Sequence, residues 1–213
     1  MTDRPTDVVA TRIALQAASV CLQYPDETLR AEFSSVRRAV EVLDVGLTRE
    51  RLTSFLDHAA ATGPLALAQH YVATFDQRRR CCLYLTWWSD GETRRRGASL
   101  AALKARYRAA GVDVLGDELP DHLPLVLEYA ATVDIADGLA LLQEQRAGLE
   151  LLRLALIDAG TPYRGPVEAV CSLLPGPSPA DVAAAKKLAR TGPPREQVGI
   201  ELAPFAPVPT GGR

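Results

Sequence analysis

The spacing of apolar residues constrains the fold of this chain more than any other feature. In the first stretch Val9, Ile13, Ala17, Val20 and Tyr24 recur at intervals of three and four, which places them on one face of a helix. Ala, Leu, Arg and Glu, all strong helix formers, dominate the chain. We therefore predict an all-α fold, a single-domain bundle of about eight to nine helices.

Capping residues and prolines set the predicted helix boundaries. We expect Asp26 to cap the second helix, Thr48 to cap the third, and Pro64 to be the first residue of the fourth. Two helices should flank a turn at residues 89–92, and the stretch Asp134–Asp158 is predicted to form one long helix.

The predicted helical domain covers residues 6–191. Its last two helices are expected near residues 163–174 and 178–191. The remaining residues, 192–213, contain five prolines and four glycines, so we predict a flexible Pro/Gly-rich tail there.

The overall charge argues against nucleic acid as a partner. The chain has 24 Lys and Arg against 26 Asp and Glu, a formal net charge of −2, whereas proteins that bind phosphate backbones are normally basic. No apolar run approaches the roughly 18–20 residues of a membrane span, and Met1–Asp7 lacks the apolar core of a secretory signal. We expect a cytoplasmic protein with no direct membrane insertion.

The familiar catalytic and metal-binding motifs are absent from the sequence. His58, His70 and His122 form no zinc-protease motif, and no serine lies in a nucleophile elbow. Gly111 and Gly116 have the spacing of a phosphate loop, but the two acidic residues that follow would repel phosphate. The four cysteines form no C-x-x-C pair. We therefore expect a non-enzyme with no catalytic residues, no metal and no cofactor of its own.

Charge is unevenly distributed along the chain. Residues 63–111 hold nine basic and three acidic residues, a net +6, and residues 112–158 hold ten acidic and two basic residues, a net −8. Either the two segments pack together and neutralise each other, or one of them presents a binding face to a polar partner.

The first candidate binding residues form an aromatic cluster. Residues 71–88 hold five aromatic residues, interrupted by Arg78, Arg79 and Arg80. Such rings more often fill a core than line a groove, but aromatic residues rimmed by arginine are also typical of binding hot spots. The aromatic residues are Tyr71, Phe75, Tyr84, Trp87 and Trp88.

The second candidate lies in the acidic segment at residues 117–123. Pro120 favours an extended conformation for the residue before it, and Asp121 can then cap the following helix. His122 would stand in the first turn of that helix, where the helix dipole lowers the pKa of its imidazole. The alternative interpretation is a stable helix start with no binding role.

These same residues carry a family resemblance. The runs Phe75–Thr86, Asp90–Gly97, Tyr107–Gly111 and Glu118–Leu123 closely resemble the NarJ family, the delta-subunit chaperones for assembly of molybdenum-containing respiratory nitrate reductase. The last run also resembles the wider TorD-like family of redox-enzyme maturation chaperones.

The resemblance implies a chaperone that binds the N-terminal segment of the apo catalytic (alpha) subunit. It further implies help with insertion of the molybdenum cofactor and iron–sulfur clusters before membrane docking. It leaves molybdenum cofactor biosynthesis proteins open as further partners. The five aromatic residues would then anchor the peptide, the three arginines would supply rim charge, and Glu118, Pro120, Asp121 and His122 would form the groove edge.

Two other functions stay open from the sequence. The arginines and the loop at residues 118–122 are compatible with a nucleotide- or molybdopterin-binding helical module. A generic helical adaptor without a link to redox enzymes is the other alternative.

Overall fold

The computed structural model describes residues 5–91 and 93–191, and it confirms the all-α fold. A π-helical turn at Val72–Asp76 and a 3-10 turn at Arg79–Cys81 lie between α4 and α5. The helices are α1 (Pro5–Cys21), α2 (Glu27–Glu41), α3 (Leu47–Ala61), α4 (Pro64–Tyr71), α5 (Leu85–Asp90), α6 (Arg94–Ala109), α7 (Leu123–Thr132), α8 (Ile135–Glu144), α9 (Arg146–Asp158), α10 (Arg164–Leu173) and α11 (Val182–Thr191).

Helix α1 lies at the centre of the bundle and packs against α2, α3, α7 and α10. Its buried face includes Ala14, Ala17 and Ala18, whose small side chains allow close helix packing. Ser19 Oγ donates a hydrogen bond of 2.8 Å to the carbonyl of Pro124, so a polar contact also joins α1 to α7 inside the core.

The predicted helix starts are confirmed at two positions and wrong at a third. Asp26 caps α2, because its side chain accepts a 2.8 Å hydrogen bond from the Leu29 N–H, and Pro64 is the first residue of α4. Thr48 does not cap α3, since the helix already begins at Leu47. The Thr48 hydroxyl instead meets the Ser172 hydroxyl of α10 at 2.8 Å.

The turn between α5 and α6 confirms the expectation of a helix on each side. Gly91 follows α5 with a φ of +59°, in the left-handed region that glycine adopts without strain. Thr93 then stands at the start of α6.

The prediction of one long helix over Asp134–Asp158 is wrong. The chain leaves the helical region at Gln145 (φ −92°, ψ 11°), which separates α8 from α9. The two helices have different neighbours, because α8 packs on α7 while α9 packs on α5, α10 and α11. The described residues form eleven α-helices instead of eight or nine, and this division accounts for one of the additional helices.

Ion pairs join the basic and acidic segments of the chain. Arg106 Nε lies 2.8 Å from an oxygen of Asp137 and its Nη1 lies 2.9 Å from Glu144, and Arg108 pairs with Asp113. The two segments therefore neutralise each other in part.

Within the described ranges, no helix combines the length and the apolar character that crossing a membrane requires. The predicted tail at 192–213 lies outside the described residues. The boundary between domain and tail stays a prediction.

Candidate functional site

A short β-bridge brings the two sequence clusters together. Tyr84 and His122 pair in antiparallel fashion. The Leu85 N–H donates to the carbonyl of Asp121 at 3.0 Å, and the Leu123 N–H donates to the carbonyl of Leu83 at 2.9 Å. The residues just before α5 and just before α7 are thus fixed side by side.

Asp121 supports this junction from the interior. The prediction that Asp121 caps its own helix is wrong, because His122 occupies the position before α7. The fully buried Asp121 carboxylate instead accepts hydrogen bonds from the N–H of Thr86 (3.1 Å) and from its hydroxyl (2.5 Å). It therefore satisfies a free backbone donor in the first turn of α5. The Arg96 guanidinium lies 3.7 Å from the same carboxylate.

Tyr84, Glu118 and His122 form a polar cluster above the bridge. Glu118 Oε1 accepts a 3.0 Å hydrogen bond from the Tyr84 hydroxyl, and its Oε2 lies 3.4 Å from His122 Nδ1. Burial lowers the pKa of His122, although the carboxylates of Glu118 and Asp121 oppose this shift. Burial, followed by the hydrogen bond to Glu118, raises the pKa of Tyr84 to about 12. Both rings are therefore mainly uncharged near neutral pH.

The polar cluster faces an open groove of about 760 Å³, which we call the acidic groove. Its walls come from the end of α1, the start of α2, the π-helical turn, the bridge and the start of α7. The lining residues are Gln23, Tyr24, Asp26, Thr28, Leu29, Glu32, Tyr71, Phe75, Asp76, Cys82, Leu83, Tyr84, Glu118, His122, Pro124, Leu125 and Glu128.

The acidic groove combines an apolar floor with a negative rim. Tyr71 and Phe75 are only 7% and 9% exposed, so the floor shows the edges of rings that belong to the core. Tyr24, half exposed, packs edge-on against Tyr71 with ring centroids 5.5 Å apart. The rim carries five exposed carboxylates, and the described lining contains neither Arg nor Lys. The acidic side chains are Asp26, Glu32, Asp76, Glu118 and Glu128.

The three arginines lie on a different surface. Arg78, Arg79 and Arg80 line a second groove of about 1080 Å³ between the 3-10 turn, α9 and α11, which we call the basic groove. Trp88 also lines it, and the Trp87 ring packs beneath the Arg79 guanidinium, 5.3 Å from ring centroid to Cζ. The guanidinium groups therefore do not form the rim of the groove that contains Tyr71 and Phe75.

The sequence-predicted residues thus divide into three sets. Tyr71, Phe75, Tyr84, Glu118 and His122 line the acidic groove. The arginines and Trp88 line the basic groove, with Trp87 beside it. Pro120 and Asp121 line neither and are buried; the Pro120 carbonyl accepts a 2.8 Å hydrogen bond from Tyr107.

Sequence reasoning missed the opposite wall of the acidic groove. Tyr24, Asp26 and Glu32 come from the α1–α2 corner, and Glu128 comes from the exposed face of α7. One signal was present, because Tyr24 stands directly before Pro25, where an apolar stripe ends and the helix must stop.

The matching family model is described as the nitrate reductase delta subunit, and it covers residues 42–168. That range includes both sequence clusters and the bridge between them.

Three curated relatives extend the similarity. NarX of Mycobacterium tuberculosis H37Rv, described as a nitrate reductase-like protein, is 38% identical over 159 residues, which cover 75% of this chain and 24% of NarX. NarJ of Bacillus subtilis strain 168 is 40% identical over 124 residues, covering 58% of this chain and 67% of NarJ. NarJ of Escherichia coli K12 is 32% identical over 154 residues, covering 71% of this chain and 65% of NarJ. The chain therefore spans about a quarter of the length of NarX and about two thirds of the length of either NarJ.

Both NarJ proteins are described as nitrate reductase molybdenum cofactor assembly chaperones, not as enzymes, which supports the expectation of a non-enzyme. A solved structure from Archaeoglobus fulgidus, described as a redox enzyme maturation protein, shares the fold. Its TM-score is 0.57 at 18% identity, with 81% of this chain and 94% of that chain covered. The family model over residues 42–168, together with these identities, shows that the chain belongs to the nitrate reductase delta subunit family.

Proposed function

We propose that this chain is an assembly chaperone that holds the N-terminal segment of the apo catalytic subunit of respiratory nitrate reductase in the acidic groove. It acts in the cytoplasm, where it assists insertion of the molybdenum cofactor and iron–sulfur clusters before membrane docking. Proteins of molybdenum cofactor biosynthesis would meet the complex at this stage. The names of the NarJ relatives support the chaperone role, and the acidic groove supports the mode of binding.

The observation that carries the proposal is the pairing of an apolar floor with five rim carboxylates. An amphipathic helix binds a groove by placing apolar side chains at helical spacing into its floor. The rim adds selectivity, because carboxylates attract Arg and Lys and repel acidic side chains. The acidic groove therefore favours a client segment that is apolar on one face and basic on its flanks.

The groove disfavours the alternative of a nucleotide or molybdopterin site. Phosphate groups would meet Glu118 and Glu128 where they enter, and the loop at residues 118–122 and the three arginines line different grooves. Arg78, Arg79 and Arg80 are thus not placed to bind the phosphate of a ligand held by that loop.

Calorimetry with a synthetic peptide of the catalytic subunit's N-terminal segment tests the proposal. We expect binding with a negative heat-capacity change, because apolar area is buried. Glu32→Lys should weaken binding by about three- to tenfold, since it places a positive charge on the rim.

Glu41→Lys is the matched control. It makes the same charge change at another exposed residue of α2 but lies outside the groove lining, so it should leave the affinity unchanged. The proposal fails if the peptide does not bind, or if Glu41→Lys weakens binding as much as Glu32→Lys. In cells, the Glu32→Lys variant should yield less nitrate reductase loaded with molybdenum than the control.

A further inference from the structure

The basic groove has the opposite charge from the acidic groove and is not used by the proposed client site. Four cationic side chains line it, namely Arg78, Arg79, Arg80 and Lys186, against the two carboxylates of Asp158 and Asp181. All three arginines are exposed. A basic client segment that fits the acidic groove would be repelled here.

The floor of the basic groove is an apolar stripe on the outer side of α9. Leu149, Leu152 and Leu156 of this helix are fully buried in the core. Leu151 and Leu154, which point in other directions around the same helix, are only partly covered and line the groove. A helix that is apolar on both its inner and outer sides has more apolar surface than this bundle covers. The remaining floor residues include Ala155, Ile157 and Trp88.

The groove is held in shape by buried polar contacts. Trp88 Nε1 donates a 3.1 Å hydrogen bond to the carbonyl of Cys82, which fixes one side of the floor. On the other side, Glu150 is fully buried, pairs with Arg146 at 2.7 Å and accepts a 2.8 Å hydrogen bond from Ser178. Arg153 donates to the carbonyl of Pro179. These contacts secure the loop that leads into α11, the far wall of the groove.

We propose that the basic groove is a second docking site, for an acidic amphipathic segment of a partner protein. Apolar side chains of that segment would cover the outer stripe of α9, and its Glu and Asp side chains would meet the arginines of the 3-10 turn and Lys186. The site is separate from the acidic groove, so this inference does not depend on the proposed client.

Other occupants fit the basic groove less well. Its volume of about 1080 Å³ lies at the upper end of the range for small-ligand pockets, and it is open to solvent. Nucleic acid would meet Asp158 and Asp181 as well as the arginines, and its backbone offers nothing to cover the apolar floor. A membrane surface does not fit into a concave groove between two helices.

A pair of designed peptides tests the charge and the apolar floor together. One fluorescent peptide carries Leu at alternating three- and four-residue spacing with Glu at the flanking positions, and its twin carries Lys in place of each Glu. By fluorescence anisotropy, the protein with Arg78→Glu and Arg80→Glu should bind the acidic peptide at least about tenfold more weakly than the unaltered protein does. The same variant should gain affinity for the Lys twin in competition with the acidic peptide.

Arg94→Glu combined with Arg95→Glu is the matched control, because these exposed arginines at the start of α6 lie outside both grooves. It should leave binding of the acidic peptide unchanged, as should Glu32→Lys in the acidic groove. Thermal denaturation of each variant checks that the fold is kept.

Three outcomes would overturn the inference. The first is the absence of saturable binding of the acidic peptide to the unaltered protein, and the second is a loss of affinity in the control as large as that in the Arg78/Arg80 variant. The third is binding of the protein to vesicles of anionic phosphatidylglycerol that depends on Arg78 and Arg80, without binding of the acidic peptide. That result would assign the surface to a membrane.

Discussion

Asp121 shows how a single buried carboxylate connects the two parts of the candidate site. Its local sequence predicts a cap for α7, but its side chain crosses to α5 and accepts both hydrogen bonds that Thr86 offers. A carboxylate suits this position because it accepts from a backbone N–H and a hydroxyl at once. The residue therefore positions Tyr84 and His122 without lining the groove itself.

Asp121→Ala should lower the free energy of unfolding by about 2–3 kcal/mol, because it leaves the Thr86 donors and Arg96 without their buried acceptor. Chemical denaturation measures the change. The exposed Asp117→Ala, four residues earlier, should change stability by less than about 0.5 kcal/mol. Equal effects of the two substitutions would contradict the structural role assigned to Asp121.

For His122, the sequence predicts the direction of the pKa shift correctly but not its main cause. The sequence predicts a lowered pKa from the helix dipole, whereas in the structure burial is the main cause of the lowered pKa. Burial of a side chain by residues distant in the sequence cannot be inferred from the seven residues around it. The partner carboxylate Glu118, four residues away, was visible in the sequence.

Among the helices, the close packing of α8 on α7 depends on the absence of a side chain at Gly138. A Cβ added at Gly138 would overlap both the side chain and the backbone of Ala130 in α7. Helix α8 therefore packs on α7 more closely than a larger side chain at position 138 would allow.

Gly138→Ala should therefore destabilise the protein by about 2 kcal/mol, through overpacking against α7. Gly97→Ala is the matched control, since Gly97 is exposed on α6 with nothing within 4 Å of an added Cβ. This second change should raise stability by up to about 1 kcal/mol, because alanine is the better helix former. Thermal melts of both variants would show opposite shifts, and shifts of the same sign would contradict this account.

The far wall of the basic groove depends on the buried ion pairs of Glu150. Arg146→Met should lower stability by about 3 kcal/mol, because the fully buried Glu150 loses one of its two arginine partners. Hydrogen exchange should increase most in residues 175–191, which these contacts secure. Replacing Arg146 and Glu150 together by Met should recover part of the lost stability. A double variant that is less stable than Arg146→Met alone would contradict this explanation.

Considered as a whole, the molecule separates its charge between two grooves that share one short segment. Tyr71, Phe75 and Asp76 line the acidic groove, and residues 78–81 line the basic groove only a few positions later. A net charge of −2 conceals this arrangement. The two grooves therefore present opposite charges on separate surfaces of the same bundle.

The three histidines give the whole molecule a common response to acid. Burial is the main cause that lowers the pKa of His58, His70 and His122 below the usual value of 6.5. Below that value the unfolded chain binds more protons than the folded one, so stability is highest above it and falls as the pH drops toward the folded pKa values. Urea denaturation between about pH 7.5 and about pH 5.5 should show this loss. His122→Gln should make the loss smaller, and an unchanged pH dependence in that variant would exclude a contribution from His122.

Local sequence patterns were sufficient to predict the helical class, several helix boundaries and the family. These follow from local properties: apolar spacing, the Asp26 cap, the Pro64 start and the short motifs at residues 80–86 and 118–123. Which candidate residues share a surface depends instead on how the helices pack. The π-helical turn at Val72–Asp76 interrupts the regular helical spacing, so the directions of Tyr71 and Arg78 cannot be read from their separation. The opposite walls of both grooves come from α2 and from α9 with α11, and their position depends on long-range packing that no local pattern encodes.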